Sequence, residues 1–249
     1  QYDVAHVSLA NAADLMLIAP ATANVIAKMA HGQADDMLTT VTLAAHCPKL
    51  VAPAMNTHML ENPITQDNIR TLEHYGFTVI PSGSGLLACG DVGSGRLPEE
   101  SVLVDYVLRE LACEKDLAGK KVVVSAGATQ EPMDPVRYLT NHSTGKMGYA
   151  VARACMLRGA EVVLLSSTSC TQPDVPFVKK VSFTTAKDLF EAVKANAMDA
   201  DALVMAAAVA DYRPAEVASD KVKKHDGEMN IALERTDDIL AWVGAHKPE

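Results

Sequence analysis

Polar and charged side chains that could take part in chemistry are densest in residues 120–148. An apolar run at residues 122–124 leads into Gly127, and the loop after it carries carboxylate, guanidinium, amide and ammonium groups, on Glu131, Asp134, Arg137, Asn141 and Lys146. A helix pattern follows, with Ser143 or Thr144 as its expected N-cap. In α/β sheets, such a loop brings backbone N–H groups and a helix dipole to an anion. The segment therefore predicts a nucleotide phosphate site.

Three loops in the first half follow predicted strand ends, where open α/β sheets bind ligands. Their sequences are APATAN (19–24), PAMNTHM (53–59) and SGSGLLACGDVGSGRL (82–97). The third is too rich in glycine for a core strand and is typical of a flap that closes over a site. Cys89 in this flap is either a structural cysteine or a proton donor or nucleophile.

Each of the other reactive residues also has a structural interpretation. His6 precedes the first predicted strand and could be an ordinary surface residue, and Asn56 could be the N-cap of a helix at residues 57–61. Arg137 and Asp134 could form a loop salt bridge of little energetic value. Lys221 could be one member of a solvated basic run. The residues alone leave these alternatives open.

The elements that must position these residues alternate between strand and helix. Strand patterns lie at 14–19, 49–53 and 77–80 in the first half, and at 121–125, 161–166, 178–183 and 202–207 in the second, with a further strand at 229–234. Helix patterns lie between them, at 22–32, 35–45, 63–75, 99–112, 144–158, 186–197 and 237–245. This alternation predicts an α/β protein with two doubly wound, three-layer α/β/α Rossmann-like domains and mainly parallel sheets. The polar connection at 114–119 places the domains at 1–115 and 116–249.

Composition narrows the class of protein further. A hydrophobic fraction of 49% can fill two cores, and a net charge of -9 argues against binding to nucleic acid. Five cysteines without a CxxC pair indicate a reducing, cytoplasmic setting, and we see neither a membrane-length apolar run nor a signal peptide. GxxxxGK[ST] and GxGxxG are both missing at the expected loops, which disfavours a P-loop enzyme and a plain NAD dehydrogenase. We expect the chain to be cut short at both ends.

Taken together, the motifs resemble a known family. His6, APATAN, PAMNTHM and the Cys89 flap resemble flavin-dependent cysteine decarboxylases, and SAGATQEPMDPVRYLTNHSTGKMG, AAAVADYRP and KVKK resemble phosphopantothenate–cysteine ligases. In this order they resemble the bifunctional decarboxylase/ligase family of coenzyme A biosynthesis. The resemblance covers nearly the whole chain.

For the first half, the resemblance implies FMN-dependent decarboxylation of a cysteine-derived carboxylate. His6 matches the active-site histidine, Asn56 the residue that holds the substrate carboxylate, and Cys89 the acid that protonates the intermediate. Thr22 and Asn24 fall in the loop expected against the flavin. Leu60 stands where the family usually has tryptophan.

For the second half, the resemblance implies that CTP activates 4'-phosphopantothenate as an acyl-cytidylate, which the amine of cysteine then attacks. Lys221 matches the catalytic lysine, Asn141 the residue that supports the acyl-cytidylate, and Arg137 a substrate-site arginine. Asp211 matches the cytidine and Mg²⁺ carboxylate. The remaining nucleotide positions are Gly127, Ser143, Ala207, Ala208 and Asp238, and the chain departs from the family pattern at Ala128 and Asp237.

The resemblance thus implies an enzyme that makes 4'-phosphopantetheine from 4'-phosphopantothenate, cysteine and CTP, with FMN and Mg²⁺. It also implies a homo-oligomer, with small molecules as its other partners and neither nucleic acid nor a membrane. A flavin- or nucleotide-binding regulatory protein of the same fold, without turnover, is the alternative. A general nucleotide-dependent oxidoreductase would leave residues 131–148 unexplained.

Overall fold

The structure is a computed structural model that describes residues 4–86, 92–223 and 228–247. The chain divides into two compact units, Gln1–Cys113 and Glu114–Glu249. No helix among the described residues is long and apolar enough to cross a membrane.

Unit 1 is built around a three-stranded parallel sheet in the order β1-β2-β3. Its helices are α1 (Ala5–Ala12), α2 (Ala23–Ala30), α3 (Met37–Ala44), α4 (Thr57–Glu61), α5 (Pro63–His74) and α6 (Glu100–Leu111). Its strands are β1 (Met16–Ala21), β2 (Lys49–Pro53) and β3 (Thr78–Val79), with an antiparallel hairpin of β4 (Gly83–Leu86) and β5 (Val92–Arg96).

Both faces of this sheet are buried. Side chains alternate along a strand, so Val51 packs on one face with Ile26 of α2 and Leu72 of α5. Leu50 packs on the other face, where α6 lies. Helices therefore cover the sheet on both sides, as the predicted three-layer class requires.

Unit 2 has a four-stranded parallel sheet in the order β10-β9-β6-β11. The sheet strands are β6 (Lys121–Ala126), β9 (Glu161–Ser167), β10 (Lys179–Phe183) and β11 (Ala202–Met205), and the helices are α7 (Lys146–Leu157), α8 (Ala186–Ala197) and α9 (Ile239–His246). Two antiparallel pairs lie outside the sheet, β7 (Gln130–Pro132) with β8 (Tyr138–Thr140), and β12 (Tyr212–Pro214) with β13 (Leu233–Arg235).

Strand β6 is central in this sheet, and its valines divide between two cores. Val122 and Val124 pack against α7, whereas Val123 packs against α8 and α9. The predicted α/β class with mainly parallel sheets is confirmed in both units.

Several predicted elements were wrong in detail. Strand β1 continues through Pro20, which follows a cis peptide bond, instead of ending before it. Helix α1 was not predicted, and His6 lies within it. The predicted strand at 202–207 ends at Met205, and the strand predicted at 229–234 is the short β13.

The cap predicted for α7 was also wrong. The N-cap is Gly145, in the left-handed region at φ 74°, and no side chain caps the helix. Ser143 Oγ instead accepts a bond from the Gly145 N–H at 3.4 Å. The first-turn N–H groups of α7 therefore have no side-chain acceptor.

Candidate functional site

In unit 1, the loops after β1 and β2 meet at the carboxyl edge of the sheet. Ala21 pairs with Pro53, and the Ala54 N–H donates to the Ala21 carbonyl at 3.0 Å. The exposed Thr22 caps α2, and the exposed Asn24 lies in the first turn of that helix. The structure thus places Thr22 and Asn24 at the start of α2, next to the loop that carries Asn56.

Asn56 is the N-cap of α4. Its Oδ1 accepts the His58 N–H at 2.9 Å, so the helix-cap interpretation is confirmed. The half-buried Leu60 lies on the same short helix. The role of Asn56 toward a substrate carboxylate stays a prediction.

The glycine-rich segment forms the β4–β5 hairpin, which packs directly on the Asn56 loop. Met55 N–H donates to the Gly95 carbonyl at 2.9 Å, and Thr57 Oγ1 donates to the Ser94 carbonyl at 2.7 Å. Gly95 has φ 113°, and a Cβ there would lie 2.1 Å from the Met55 carbonyl oxygen. Glycine is thus required for this close approach. Cys89 lies outside the described residues.

His6 lies on a different element, the half-buried face of α1, which packs on α3 through Ala10 and Val41. Its predicted catalytic role is not tested by these contacts. A cavity of about 480 Å³ in unit 1 includes Lys49 and Phe77, at the amino ends of β2 and β3. This is the sheet edge opposite the Thr22 and Asn56 loops.

In unit 2, the chain segments after β6 and β11 continue to pair beyond the sheet. Ala128 and Ala208 form a parallel bridge, Ala208 N–H donates to the Gly127 carbonyl at 2.8 Å, and Thr129 N–H donates to the Ala208 carbonyl at 3.3 Å. Ala207 and Ala208 are half-buried, and their small side chains leave backbone groups close to any ligand at this edge.

Asn141 is held against the same segment. Its Nδ2 donates to the Val209 carbonyl at 3.2 Å, with a longer contact of 3.5 Å to the Ala208 carbonyl. The neighbouring Thr140 hydroxyl donates to the Thr129 carbonyl at 2.7 Å. These bonds bring the exposed Asn141 to the carboxyl edge of β11.

Gly127 and Gly145 both lie close to the side chain of Cys170. Gly127 has φ 92°, and a Cβ on it would lie 2.5 Å from Cys170 Sγ; a Cβ on Gly145 would meet the same sulfur at 2.5 Å. Gly148 in α7 lies so close to β6 that its Cβ would be 2.6 Å from the Ser125 carbonyl oxygen. These contacts fix the N-terminus of α7 at the end of β6.

Two cavities flank the Ala128–Ala208 bridge. One, of about 650 Å³, is lined by Ala128, Asn141, Ser143 and the first residues of α7. The other, of about 630 Å³, is lined by Ala207, Asp211 and the carboxylates that precede α9, Asp237 and Asp238. Arg137 and Lys221 line neither cavity.

The loop before α9 is attached to the Asp211 segment. Thr236 N–H donates to the Asp211 carbonyl at 3.0 Å, and the Thr236 hydroxyl donates to the Ala210 carbonyl at 2.6 Å. Asp238 caps α9, accepting the Ala241 N–H at 2.9 Å. The described residues contain no cluster of three or more metal-binding side chains. Mg²⁺ needs only one or two carboxylates when substrate phosphates supply the rest, and the exposed Asp211 fits that requirement.

The Asp134–Arg137 pair is not a weak surface salt bridge. The Asp134 side chain is 0% exposed, and its Oδ2 accepts Arg137 Nε at 3.0 Å and Nη2 at 2.6 Å. The Arg137 guanidinium, together with backbone N–H donors, holds the pKa of Asp134 well below its usual range. Arg137 also donates to the Val222 carbonyl at 2.8 Å, beside the exposed Lys221.

Sequence reasoning missed three residues of this site. Cys170 packs under the two loop glycines, and the fully buried Thr129 uses its hydroxyl to accept the Ala210 N–H at 3.0 Å. Asp134 is named from the sequence in the charged loop and as a possible salt-bridge partner of Arg137, but its burial is not predicted. The sequence carries no signal for these three arrangements, because each depends on contacts with residues that are distant along the chain.

The chain belongs to a class of flavoprotein. A family model described as Flavoprotein matches residues 1–112, and one described as the DNA/pantothenate metabolism flavoprotein C-terminal domain matches residues 117–249. The second match covers more than half of the chain, which therefore belongs to the DNA/pantothenate metabolism flavoprotein family.

Individual relatives are similar over nearly the whole chain. The chain is 48% identical over 245 residues to the "Coenzyme A biosynthesis bifunctional protein CoaBC" of Mycobacterium bovis, covering 96% of this chain and 59% of that protein. It is 45% identical over 248 residues to the protein of the same name from Bacillus subtilis, covering 99% and 61%. A solved "C-terminal Domain of Coenzyme A biosynthesis bifunctional protein CoaBC" is 42% identical, covers 53% of this chain and 61% of that one, and has a TM-score of 0.46. The chain thus spans about three fifths of these relatives.

Proposed function

We propose that the chain acts in coenzyme A biosynthesis, with a ligase site in unit 2 and a decarboxylase site in unit 1. Unit 2 joins 4'-phosphopantothenate to cysteine at the expense of CTP, and unit 1 decarboxylates the 4'-phosphopantothenoylcysteine to 4'-phosphopantetheine with FMN. The two domain matches and the names of the relatives support this assignment.

The observation that carries the ligase proposal is the pair of cavities on either side of the Ala128–Ala208 bridge. Ser143 and the uncapped first turn of α7 offer hydrogen-bond donors for phosphate on one side. The carboxylate of Asp211 lies on the other side. A nucleotide bound across the bridge would place its phosphates near the donors and its cytidine near Ala207 and Asp211.

In the first ligase step, the carboxylate of 4'-phosphopantothenate attacks the α-phosphorus of CTP, and pyrophosphate leaves. The amine of cysteine then attacks the acyl carbon, CMP leaves, and an amide forms. Asn141, which lines the cavity beside α7, holds the acyl-cytidylate, the role that the family resemblance implies. Lys221 supplies the positive charge that stabilises the anionic transition state. Mg²⁺ held by Asp211 would offset charge on the α-phosphate, which is the phosphate next to the cytidine.

For the decarboxylase, the exposed Thr22 and Asn24 fit a flavin at the carboxyl edge of β1 and β2. FMN when bound supplies the oxidation that makes loss of carbon dioxide possible. Asn56, at the end of the adjacent loop after β2, holds the substrate carboxylate. His6 and Cys89 keep the roles that the family resemblance implies, with Cys89 as the acid.

Product analysis tests the proposal. The full-length natural protein, given CTP, Mg²⁺, 4'-phosphopantothenate and cysteine, should be yellow and should form pyrophosphate and 4'-phosphopantetheine. Lys221→Gln should lower ligation at least about 100-fold and leave decarboxylation intact, because the lysine acts on only one step. The neighbouring Lys223→Gln is the matched control and should retain both activities. Equal loss of both activities in Lys221→Gln would indicate a structural role, and flavin binding without turnover would indicate a regulatory protein.

A further inference from the structure

The segment that carries Lys221 has no helix or strand of its own. Residues 215–223 follow β12 as irregular chain. Ala215 N–H donates to the Ala232 carbonyl at 2.9 Å, and Ala218 N–H donates to the Met133 carbonyl at 3.0 Å. A catalytic side chain on such a segment needs further anchors, since catalytic groups must be held to within about 0.5 Å of their working geometry.

Those further anchors lie at Val222, the residue next to Lys221. Its N–H donates to Asp134 Oδ2 at 3.1 Å, and its carbonyl accepts Arg137 Nη2 at 2.8 Å. Both backbone groups of Val222 are therefore bound by one ion pair. Bonds in both directions fix the orientation of the backbone that immediately follows Lys221.

Asp134 is itself rigidly held. Its Oδ1 accepts the N–H groups of Val136 and Arg137, each at 2.8 Å, and its Oδ2 accepts the Arg137 guanidinium. The carboxylate is buried, so its lone pairs are satisfied by protein donors. Among the described residues, Val222 is the one bonding partner of this carboxylate that is distant in sequence, so the carboxylate connects its own loop to the Lys221 segment.

We propose that Asp134 is a positioning residue for Lys221, acting through Val222 and with Arg137 as its partner. This proposal rests on the proposed ligase function of unit 2. We call Asp134, Arg137 and Val222 together the clasp. Within it, two guanidinium nitrogens of Arg137 bind Asp134 and the Val222 carbonyl, a role that differs from direct substrate binding.

Asp134→Asn tests the clasp because it keeps the shape and the Oδ1 acceptor but turns an acceptor toward Val222 and Arg137 into an NH₂ donor. In the full-length natural protein we expect kcat for ligation to fall at least tenfold, with KM for CTP and 4'-phosphopantothenate changed less than threefold. Decarboxylation should be unchanged. Trypsin cleavage after Lys221 under native conditions should be at least tenfold faster. Asp116→Asn, which breaks the exposed ion pair with Arg158 in the same unit, is the matched control and should leave each value within twofold.

Arg137→Lys keeps the test informative if Asp134→Asn folds poorly. Lysine has one nitrogen and no planar guanidinium, so it loses the contact with Asp134 that Arg137 makes through both Nε and Nη2. We therefore expect kcat to fall and cleavage to rise. A rise in the KM for 4'-phosphopantothenate without a fall in kcat would instead indicate substrate binding by Arg137 and overturn its place in the clasp.

The outcomes separate this proposal from the proposed function. Normal ligation in the unmodified protein, with kcat or cleavage unchanged in Asp134→Asn, overturns the positioning role alone. Absence of ligation in the unmodified protein overturns the proposed function, and the role of Asp134 toward Lys221 with it.

Discussion

At the scale of single residues, the proposed ligase site depends on positions where the structure leaves no room for a Cβ atom. Gly127 combines a positive φ with close contacts to Cys170 and Ser167, and Gly145 contacts the same cysteine. Their role is to let the end of β6 and the start of α7 approach each other, which brings the uncapped N–H groups of α7 to the cavity. These glycines therefore set the backbone geometry of the loops that carry the charged residues predicted from the sequence.

Gly127→Ala should destabilise unit 2 by about 3 kcal/mol, since a left-handed alanine and an overpacked contact each cost about 1–2 kcal/mol. Trp242, the single tryptophan of the chain, lies in unit 2, so the denaturant midpoint of its fluorescence measures this change.

Gly119→Ala is the control for Gly127→Ala. It has φ 76° and no atom within 4 Å of an added Cβ, so only the backbone cost of about 1 kcal/mol should appear. Cys170→Ala added to Gly127→Ala should recover part of the loss. Equal losses of stability in Gly127→Ala and Gly119→Ala would contradict the close approach of Gly127 to Cys170.

At the scale of elements, the β4–β5 hairpin connects to the Asn56 loop through backbone bonds that need glycine. This arrangement places the strands on either side of residues 87–91 next to the predicted substrate-binding loop. The hairpin therefore belongs to the proposed decarboxylase site whether or not it moves.

Gly95→Ala should detach the hairpin, because its Cβ would lie 2.1 Å from the Met55 carbonyl oxygen. We expect the Met55 amide to exchange hydrogen at least tenfold faster and decarboxylation to fall in parallel, with ligation unaffected. Gly85→Ala in the same hairpin is the control: Gly85 also has a positive φ, 149°, but its added Cβ would meet only the flexible Arg96 side chain, at 3.7 Å. It carries the backbone strain without the contact to Met55, so it should change exchange at Met55 less than threefold. Fast hydrogen exchange at the Met55 amide in both variants would contradict a specific role of Gly95 in attaching the hairpin to the Asn56 loop.

Sequence patterns predicted the buried strands and amphipathic helices well because their side-chain periodicity reflects burial. They failed where short polar segments pair only in three dimensions. Hairpin β7–β8 lies within QEPMDPVRYLT (130–140), where Asp134 closes the turn by accepting two backbone N–H groups. The α7 cap was misplaced because Gly145, not a hydroxyl residue, takes the left-handed conformation at the helix start.

At the scale of the whole molecule, the chain consists of two α/β units with separate cores. Each unit carries a candidate site at the carboxyl edge of its parallel sheet. The sequence indicated which loops would carry chemistry, because strand ends and polar loops are visible in it. It did not reveal that Asp134 is buried, since the depth of a carboxylate depends on residues as distant as Val222.

The acid stability of unit 2 should depend on Asp134. Because its pKa is lowered in the folded state, its stabilising contribution is complete above the unfolded-state pKa of about 3.9 and is lost as pH falls through the folded value. The free energy of unfolding, followed by Trp242 fluorescence, should therefore fall between about pH 4 and pH 2. Asp134→Asn should flatten this fall more than Asp116→Asn, whose partner Arg158 is half-exposed. An unchanged slope in Asp134→Asn would contradict the buried ion pair.

The exchange of labelled pyrophosphate into CTP tests the central claim most directly, because it detects the acyl-cytidylate before cysteine is added. The full-length natural protein with Mg²⁺ should catalyse this exchange only when 4'-phosphopantothenate is present, and Lys221→Gln should lose it. No exchange, or exchange that is indifferent to 4'-phosphopantothenate, would contradict a CTP-dependent ligase in unit 2.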